Sequence, residues 1–150
     1  AEFKKFTPEC KDTSLSQCDQ QQVINAYDNT ILFTDYFLSQ VIGWLKTQDK
    51  KSTPAMLYVS DHGESLGEKN MYLHGLPYSV APPEQTTVPL ITWLSPGFEQ
   101  LSRVNSRCLQ AHRDKPLSHD HLFHSVLGLM SVKTSAYLKE RDIFASCEGR

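Results

Sequence analysis

The residues best suited to chemistry lie at positions 60–65, which read Ser-Asp-His-Gly-Glu-Ser and directly follow the apolar run Ala55–Val59. Asp61 offers a hard carboxylate oxygen and His62 a borderline imidazole nitrogen, a combination that suits a divalent ion such as zinc. Adjacent side chains of a regular strand point to opposite faces, so these two residues can share an ion only where a strand gives way to a loop. The sequence places them at such a break and therefore predicts two metal ligands.

Two further candidates lie in the glycine- and proline-rich residues 61–87. His74 follows His62 by twelve residues in the same loop, although a lone histidine is more often a hydrogen-bonded structural residue than a ligand. The alternatives for Glu64 are a carboxylate that hydrogen-bonds a metal ligand, a ligand of a second set, and a surface acid. Connections this long without periodicity are usually functional or disordered, and the titratable residues favour a functional loop. Four-coordinate zinc needs more ligands than Asp61 and His62, so the sequence displays only part of a metal site.

A second group of histidines has a simpler explanation than metal binding. Ser118 or Asp120 can cap a helix that starts nearby, and the histidines then lie on its first turns. His112 stands in a polar stretch and receives no role. The group consists of His119, Asp120, His121 and His124. There is also no Gly-x-Ser-x-Gly sequence to mark a nucleophile, and no serine or threonine has a distinctive setting.

The elements that must position these residues can be predicted from periodicity. Asp19 and Gln22 resemble a capping box that opens a long helix, and the polar run 47–53 and Pro54 end it. Its apolar face is formed by Ile24, Tyr27, Ile31, Leu38, Val41, Ile42 and Leu45. The polar residues that fill its other faces are Asn25, Asp28, Asn29, Asp35 and Gln40.

The remaining elements follow the helix in an order typical of an α/β fold. Ala55–Val59 is predicted to be a parallel strand buried on both faces. Residues 88–94 are the second strand candidate, and Pro89 would either shift its start to Leu90 or place the strand at a sheet edge. Residues 95–116 are predicted to be a polar loop, and a second amphipathic helix begins near residue 118. A short strand is expected near residues 143–144.

Composition excludes several classes of protein. A length of 150 residues corresponds to about one domain. A net charge of −2, with no run of five basic residues, gives no electrostatic case for binding nucleic acid. The sequence contains no run of 18 apolar residues, which is about the length that a membrane-spanning helix needs. The chain starts at Ala1 without an initiating methionine, so we expect a fragment whose export signal, if any, lies upstream.

The cysteines are Cys10, Cys18, Cys108 and Cys147. An even number without a Cys-x-x-Cys pair favours disulfides in an oxidising compartment over a zinc ribbon. Of three possible pairings we favour Cys10–Cys18, which is local, and Cys108–Cys147, which brackets one C-terminal segment. Four reduced, buried thiols in a cytosolic protein remain the alternative.

Several ordered motifs together resemble one enzyme family. Residues 27–32 read Tyr-Asp-Asn-Thr-Ile-Leu, residues 56–68 read Met-Leu-Tyr-Val-Ser-Asp-His-Gly-Glu-Ser-Leu-Gly-Glu, and residues 72–77 read Tyr-Leu-His-Gly-Leu-Pro. Ala81-Pro82 and Val88-Pro89 follow. This series resembles the lipid A phosphoethanolamine transferases, including the mobile colistin-resistance enzymes, within the alkaline phosphatase and sulfatase superfamily. The similarity runs from about residue 6 to residue 94 and, more weakly, through residues 118–129.

The resemblance implies a three-layer α/β/α catalytic domain of the alkaline phosphatase type, on the periplasmic face of a bacterial inner membrane. It implies zinc as cofactor, with Asp61 and His62 in the positions of two family ligands. His74 matches a histidine beside the substrate phosphate or a second zinc, and Glu64 matches an acid that lines the site. Cys10–Cys18 matches a family disulfide, and Cys108–Cys147 resembles an additional bridge of some members.

The same resemblance implies what this chain lacks. The family's threonine nucleophile, its glutamate ligand, another site histidine and its membrane domain have no counterpart in residues 1–150. We therefore expect the chain to be the C-terminal portion of the periplasmic catalytic domain, inactive by itself or completed by a partner chain, with membrane association through a domain outside it.

The implied reaction transfers phosphoethanolamine from phosphatidylethanolamine to lipid A through a phospho-threonine, which protects against polymyxins. The alternatives are a sulfatase or phosphoglycerol transferase of the same superfamily, and a non-catalytic interaction module that keeps the fold.

Overall fold

A computed structural model describes residues 2–149 as an alternation of helices and short strands. The longest element is a 29-residue helix, and both sheets have two strands. Short 3-10 turns occur at Leu15–Gln17, Glu68–Asn70, Lys139–Arg141 and Ala145–Cys147. In chain order the elements are α1 (Gln20–Gln48), β1 (Ala55–Val59), β2 (Ser65–Leu66), β3 (Tyr72–Leu73), α2 (Pro83–Thr86), β4 (Leu90–Leu94), α3 (Pro96–Ser102), α4 (Ser106–Ala111) and α5 (Asp120–Leu129).

The described residues divide into two compact units. One unit consists of residues 2–44 and 56–92, and the other of residues 45–55 and 93–149. The predicted metal ligands belong to the first unit and the Cys108–Cys147 pair to the second. No helix among residues 2–149 combines the length and apolarity needed to cross a membrane.

Helix α1 begins where the sequence predicts. The Asp19 carbonyl accepts hydrogen bonds from the backbone N–H groups of Gln22 at 2.9 Å and Val23 at 3.3 Å. The helix then runs into the polar residues before Pro54, whose ring and missing N–H are incompatible with a helix interior. Both ends of the predicted element are thus confirmed to within two residues.

The assignment of two asparagines to the polar faces of α1 was wrong. Asn25 and Asn29 are buried, because both side chains bind the extended N-terminal segment. The Asn29 Oδ1 accepts from the backbone N–H of Lys5 at 2.9 Å and of Phe6 at 3.0 Å, and its Nδ2 donates to the Phe6 carbonyl at 2.9 Å. Asn25 donates to the Pro8 carbonyl at 2.9 Å. Amide side chains satisfy this backbone because it belongs to no sheet.

The N-terminal disulfide holds the same segment against α1. Cys10 and Cys18 are bonded, with their Cα atoms 5.7 Å apart. The backbone N–H of Cys10 donates to the Gln22 carbonyl at 3.0 Å. The second predicted pair, Cys108 and Cys147, is also bonded, with Cα atoms 5.6 Å apart, so none of the four cysteines is free.

The prediction of a parallel β1 buried on both faces was wrong. Strand β1 pairs with β4. Ser60 N donates to the Pro89 carbonyl at 3.5 Å, and Ser95 N donates to the Pro54 carbonyl at 3.1 Å. These bonds join the end of each strand to the start of the other, so the pair is antiparallel. All five residues of β1 are half-buried. The predicted start of β4 at Leu90 is confirmed.

Residues 95–116 form two helices rather than the predicted loop. The Ser95 hydroxyl accepts from Phe98 N at 3.1 Å and caps α3, whose first residue is Pro96. The Asn105 side chain accepts from Cys108 N at 3.0 Å and caps α4. A serine followed by proline and, for the second helix, a capping asparagine are helix start signals. These signals were overlooked in the sequence because the stretch is polar throughout.

Helix α5 packs on the C-terminal residues through buried polar groups. His121 and His124 lie on the first turns of this helix, as expected, and the exposed fraction of His124 is 7%. The His124 Nδ1 accepts from Leu138 N at 3.1 Å, and the buried Ser125 hydroxyl accepts from Ile143 N at 3.1 Å. Residues 143–144 form no strand; Phe144 is instead buried at the start of a 3-10 turn.

Candidate metal centre

The first two predicted ligands lie at the end of β1, where the chain leaves the strand. The Asp61 side chain is 89% exposed, and its Oδ1 accepts from the backbone N–H of His62 at 3.1 Å. The other carboxylate oxygen lies 3.8 Å from the His62 Nε2 atom. Ser60 donates to the His62 carbonyl at 2.8 Å and thereby holds the turn. The Asp61 carboxylate and the His62 Nε2 atom therefore lie close together where the chain leaves β1.

The hydrogen bonds of His62 determine which ring nitrogen is available. Its Nδ1 lies 2.9 Å from the Gly63 carbonyl oxygen. A carbonyl only accepts, so Nδ1 carries the proton and the neutral ring presents an unprotonated Nε2. Metal-binding histidines typically donate their other N–H in this way, which fixes both tautomer and ring orientation.

A short hairpin brings Glu64 to His74. Strands β2 and β3 are antiparallel, with Ser65 opposite Leu73 and Leu66 opposite Tyr72. Glu64 and His74 are the next pair in this register. The His74 Nδ1 lies 3.2 Å from one Glu64 carboxylate oxygen and 3.3 Å from the other. Glu64 therefore orients His74 and leaves the Nε2 of His74 for another partner.

The hairpin also places His74 against His62. Their ring centroids are 3.6 Å apart and the rings are nearly parallel, at 29°. One ligand atom from each of His62, Glu64 and His74 lies within 4.8 Å of the others. Asp61 adjoins this trio through His62. The structure thus groups three of the four predicted site residues, and the exposed Asp61 lies beside the group, next to His62.

The turn depends on Gln85 and Ser65, two residues to which the sequence analysis gave no role. Gln85, on α2, donates through Nε2 to the buried Ser65 hydroxyl at 2.9 Å and accepts from Leu76 N at 3.4 Å. Its backbone carbonyl also accepts from Gly63 N at 3.0 Å. Gln85 therefore connects the turn after β1, strand β2 and the residues after His74. A buried glutamine at this position has no signature in a single sequence.

Gly63 is required at this turn for steric reasons. A Cβ atom there would collide with the backbone carbonyl of Glu84 and lie 3.2 Å from that of Thr87. Because backbone atoms cannot rotate away as a side chain can, a larger residue would displace the turn that carries Asp61 and His62.

The donor set fits a zinc ion. A tetrahedral ion with bonds of about 2.0–2.2 Å to nitrogen and oxygen separates its ligand atoms by roughly 3.3–3.6 Å. The 3.8 Å between Asp61 and His62 is close to this value. Each histidine has its Nδ1 hydrogen-bonded to an acceptor, which leaves Nε2 as ligand atom. Asp61 and His62 together supply two ligands, and a catalytic zinc site needs a third from the protein.

Comparison with known proteins places these features in a family. The sulfatase family model matches residues 1–132. The chain is 46% identical over 147 residues to the phosphoethanolamine transferase EptA of Salmonella typhimurium, with 97% of the chain and 27% of that protein covered. It is 43% identical over 143 residues to the phosphatidylethanolamine transferase Mcr-2 of Escherichia coli, with 95% and 25% covered.

A solved protein from Neisseria meningitidis, lipooligosaccharide phosphoethanolamine transferase A, has the same fold. Its soluble domain matches with a TM-score of 0.93 and 42% identity, over 99% of this chain and 45% of that domain. The integral membrane protein matches with a TM-score of 0.94 and 42% identity, over 99% of this chain and 28% of that protein. These matches confirm the predicted alkaline phosphatase-like α/β class.

The chain spans about a quarter of the length of the curated relatives it matches. The shared fold, the matching residues 1–132 and the Asp-His-Gly-Glu turn lead to one conclusion: the chain belongs to the sulfatase family.

Proposed function

We propose that this chain is the C-terminal portion of the catalytic domain of a zinc-dependent phosphoethanolamine transferase. The donor is phosphatidylethanolamine, the acceptor is lipid A, and the product protects the cell against polymyxins such as colistin. The observation that carries the proposal is the convergence of Asp61, His62, Glu64 and His74 at the end of β1. The relatives whose names specify this group transfer support the choice of substrate class.

In this proposal Asp61 and His62 hold the zinc ion. The hydrogen bond from His62 Nδ1–H to the Gly63 carbonyl leaves Nε2 as the atom that would bind the ion. When bound, zinc lowers the pKa of a nucleophilic hydroxyl and neutralises charge on phosphate oxygens. Additional ligands and a threonine nucleophile are proposed to come from outside this chain.

His74 is proposed to act on the phosphate group. Glu64 accepts a hydrogen bond from the His74 Nδ1–H group, so the neutral ring has Nε2 free to accept a proton from an attacking hydroxyl. When doubly protonated, the same nitrogen donates to a phosphate oxygen and neutralises its charge. Glu64 is then a positioning residue, because it acts through His74.

The same comparison supports a proposal for the location of the complete protein. We propose that the complete protein lies at the periplasmic face of a bacterial inner membrane, with a membrane domain outside residues 1–150. The support is the match to an integral membrane protein over 28% of its length. Two disulfides agree with an oxidising compartment.

The experiment that tests the proposal uses the complete membrane protein. Asp61→Asn and His62→Asn should abolish the addition of phosphoethanolamine to lipid A, measured by mass spectrometry of extracted lipid A. Asp114→Asn is a matched control, since both aspartate side chains are 89% exposed. Full transfer by Asp61→Asn would reject the metal site, and the non-catalytic alternative predicts that result.

A second candidate reaction is favoured by the name of the matching family. A sulfatase would cleave a sulfate ester at the same metal site. Incubation of the complete protein with an aryl sulfate and with a fluorescent phosphatidylethanolamine separates the two reactions. We expect diacylglycerol release from the lipid and no cleavage of the sulfate.

A further inference from the structure

A second group of metal-ligand atoms lies around the C-terminal disulfide. Cys108 and His112 are on consecutive turns of α4 and its C-cap, so their side chains share a face. Cys147 lies in the 3-10 turn Ala145–Cys147. The His112 Nδ1 lies 3.4 Å from the Cys147 sulfur and 4.0 Å from the Cys108 sulfur. The three ligand atoms are within 4.8 Å of one another.

In the oxidised protein these atoms cannot bind a metal strongly. The two sulfurs are bonded to each other, and thiolates, not disulfide sulfurs, are the ligands that zinc and other thiophilic ions bind. Reduction changes the donor set to two thiols and an imidazole. Two cysteines and one histidine are a ligand set that zinc uses, with the fourth position left open.

The positions require little rearrangement. A tetrahedral zinc ion with Zn–S bonds of about 2.3 Å and Zn–N of about 2.0–2.1 Å places sulfur and nitrogen roughly 3.6 Å apart. The observed 3.4 and 4.0 Å lie on either side of that value. Only the two sulfurs must separate, to about 3.8 Å in the same geometry. Rotation of the half-buried Cys108 side chain on α4 can supply that movement.

We propose that reduction of the Cys108–Cys147 disulfide creates a site for one thiophilic divalent ion, bound by Cys108, His112 and Cys147. A dithiol reductant gives up two electrons and two protons and becomes a disulfide, while the two cysteines become thiols. Each thiol then loses its proton as the ion binds. The fourth position is open to water or to Ser146, whose hydroxyl lies 3.5 Å from the His112 Nδ1. This proposal does not rest on the proposed transferase activity.

The other disulfide of the chain is an internal control. Among the described residues, Cys10 and Cys18 have no third ligand grouped with them, and the Cys10 sulfur contacts the Asp12 carbonyl at 3.6 Å. Reduction of this pair produces two thiols with no imidazole grouped with them. The reduced Cys10 and Cys18 should therefore bind the ion more weakly than the reduced Cys108 and Cys147 with His112.

The experiment is a cobalt titration of the purified protein, reduced with a dithiol that is then removed without oxygen. We expect one equivalent of Co²⁺ to produce a thiolate-to-cobalt charge-transfer band in the reduced protein and none in the oxidised protein. Cys10→Ser/Cys18→Ser should keep the band, and Cys108→Ser/Cys147→Ser should lose it. His112→Asn keeps all four thiols and should weaken binding roughly tenfold or more, since even outer-shell changes cost that much.

The His112 variant makes the test decisive. If the serine variants fail to fold, an unchanged cobalt affinity in His112→Asn still overturns the proposal. A band that persists with equal strength in Cys108→Ser/Cys147→Ser, or no band in the reduced protein, also overturns it.

Discussion

At the scale of single residues, the candidate site depends on hydrogen bonds that select one nitrogen of each histidine. The Nδ1 of His62 donates a hydrogen bond to the Gly63 carbonyl, and the Nδ1 of His74 donates one to the Glu64 carboxylate. Two imidazoles with the same tautomer and stacked rings therefore present their Nε2 atoms. This arrangement makes Glu64 and Gly63 as important to the site as the ligands themselves.

The glycine requirement can be tested with a matched pair. Gly63→Ala should destabilise the protein by about 1–3 kcal/mol, because the new methyl group overlaps the Glu84 carbonyl and the turn must shift. Gly43→Ala should instead be neutral or stabilise by about 0.5–1 kcal/mol, since that position is in α1 with nothing within 4 Å. Urea unfolding measures both. Equal effects in the two variants would contradict the steric argument.

Tyr137 offers a prediction about pH. Burial, together with the hydrogen bond that its hydroxyl donates to Asp142 at 2.7 Å, raises the pKa of Tyr137 to about 12. The unfolded chain loses this proton near pH 10. Between pH 10 and 12 the folded protein therefore binds more protons than the unfolded chain, and this contribution to stability decreases as pH rises.

Tyr137→Phe should lower stability at pH 7 by about 1 kcal/mol, the typical net value of one hydrogen bond. The difference from the natural protein should shrink above pH 10. Unfolding midpoints across pH 7–11 measure this, with Tyr78→Phe as control because Tyr78 is 85% exposed. A difference that is constant with pH would contradict the pKa argument.

At the scale of elements, the long helix α1 serves as an anchor for backbone that has no sheet partner. The amide groups of Asn25 and Asn29 take the place of strand hydrogen bonds for the segment around Phe6 and Pro8. The disulfide Cys10–Cys18 then closes this segment against the start of the helix. The buried amide groups of Asn25 and Asn29 stabilise the fold because their oxygen and nitrogen atoms have hydrogen-bond partners.

Asn29→Ala tests this role of the helix. The variant loses bonds to Lys5, Phe6 and Glu9 and should be destabilised by about 2–4 kcal/mol, since buried backbone groups are left without partners. Gln40→Ala, on an exposed position of the same helix, should change stability by less than about 0.5 kcal/mol. A similarly small effect for Asn29→Ala would show that water replaces the amide.

At the scale of the whole molecule, the site is incomplete by ligand count. In the proposed arrangement Asp61 and His62 offer two ligands, whereas a catalytic zinc site has three protein ligands and a fourth position for water or substrate. The chain also corresponds to 45% of the solved soluble domain it matches. Both facts support the proposal that residues outside this chain complete the metal site and supply the nucleophile.

We therefore expect residues 1–150 alone to be inactive and to bind zinc weakly. The complete soluble domain should release diacylglycerol from phosphatidylethanolamine and bind zinc tightly. Parallel assays of both polypeptides, with isothermal titration for zinc, measure the difference. Full transferase activity from residues 1–150 would contradict the proposed division of the site.

The sequence by itself determined the local features of this protein. Periodicity located α1 and β4, and the order of an acid, a histidine and a glycine after an apolar run located Asp61 and His62. The positions of the cysteines favoured both disulfide pairs, which the structure contains, and the family resemblance supplied the fold class. The helix, the strand and the Asp-His turn could be predicted because each is encoded by residues that are near neighbours in the chain.

Only the tertiary structure decided which distant groups meet. The register of β2 and β3 brings Glu64 to His74, and α2 places Gln85 against Ser65. The antiparallel pairing of β1, the burial of Asn29 and the approach of His112 to a disulfide likewise lack a local signal. Each depends on backbone segments far apart in sequence, whose contact is set by packing and hydrogen-bond satisfaction rather than by any short pattern of residue types.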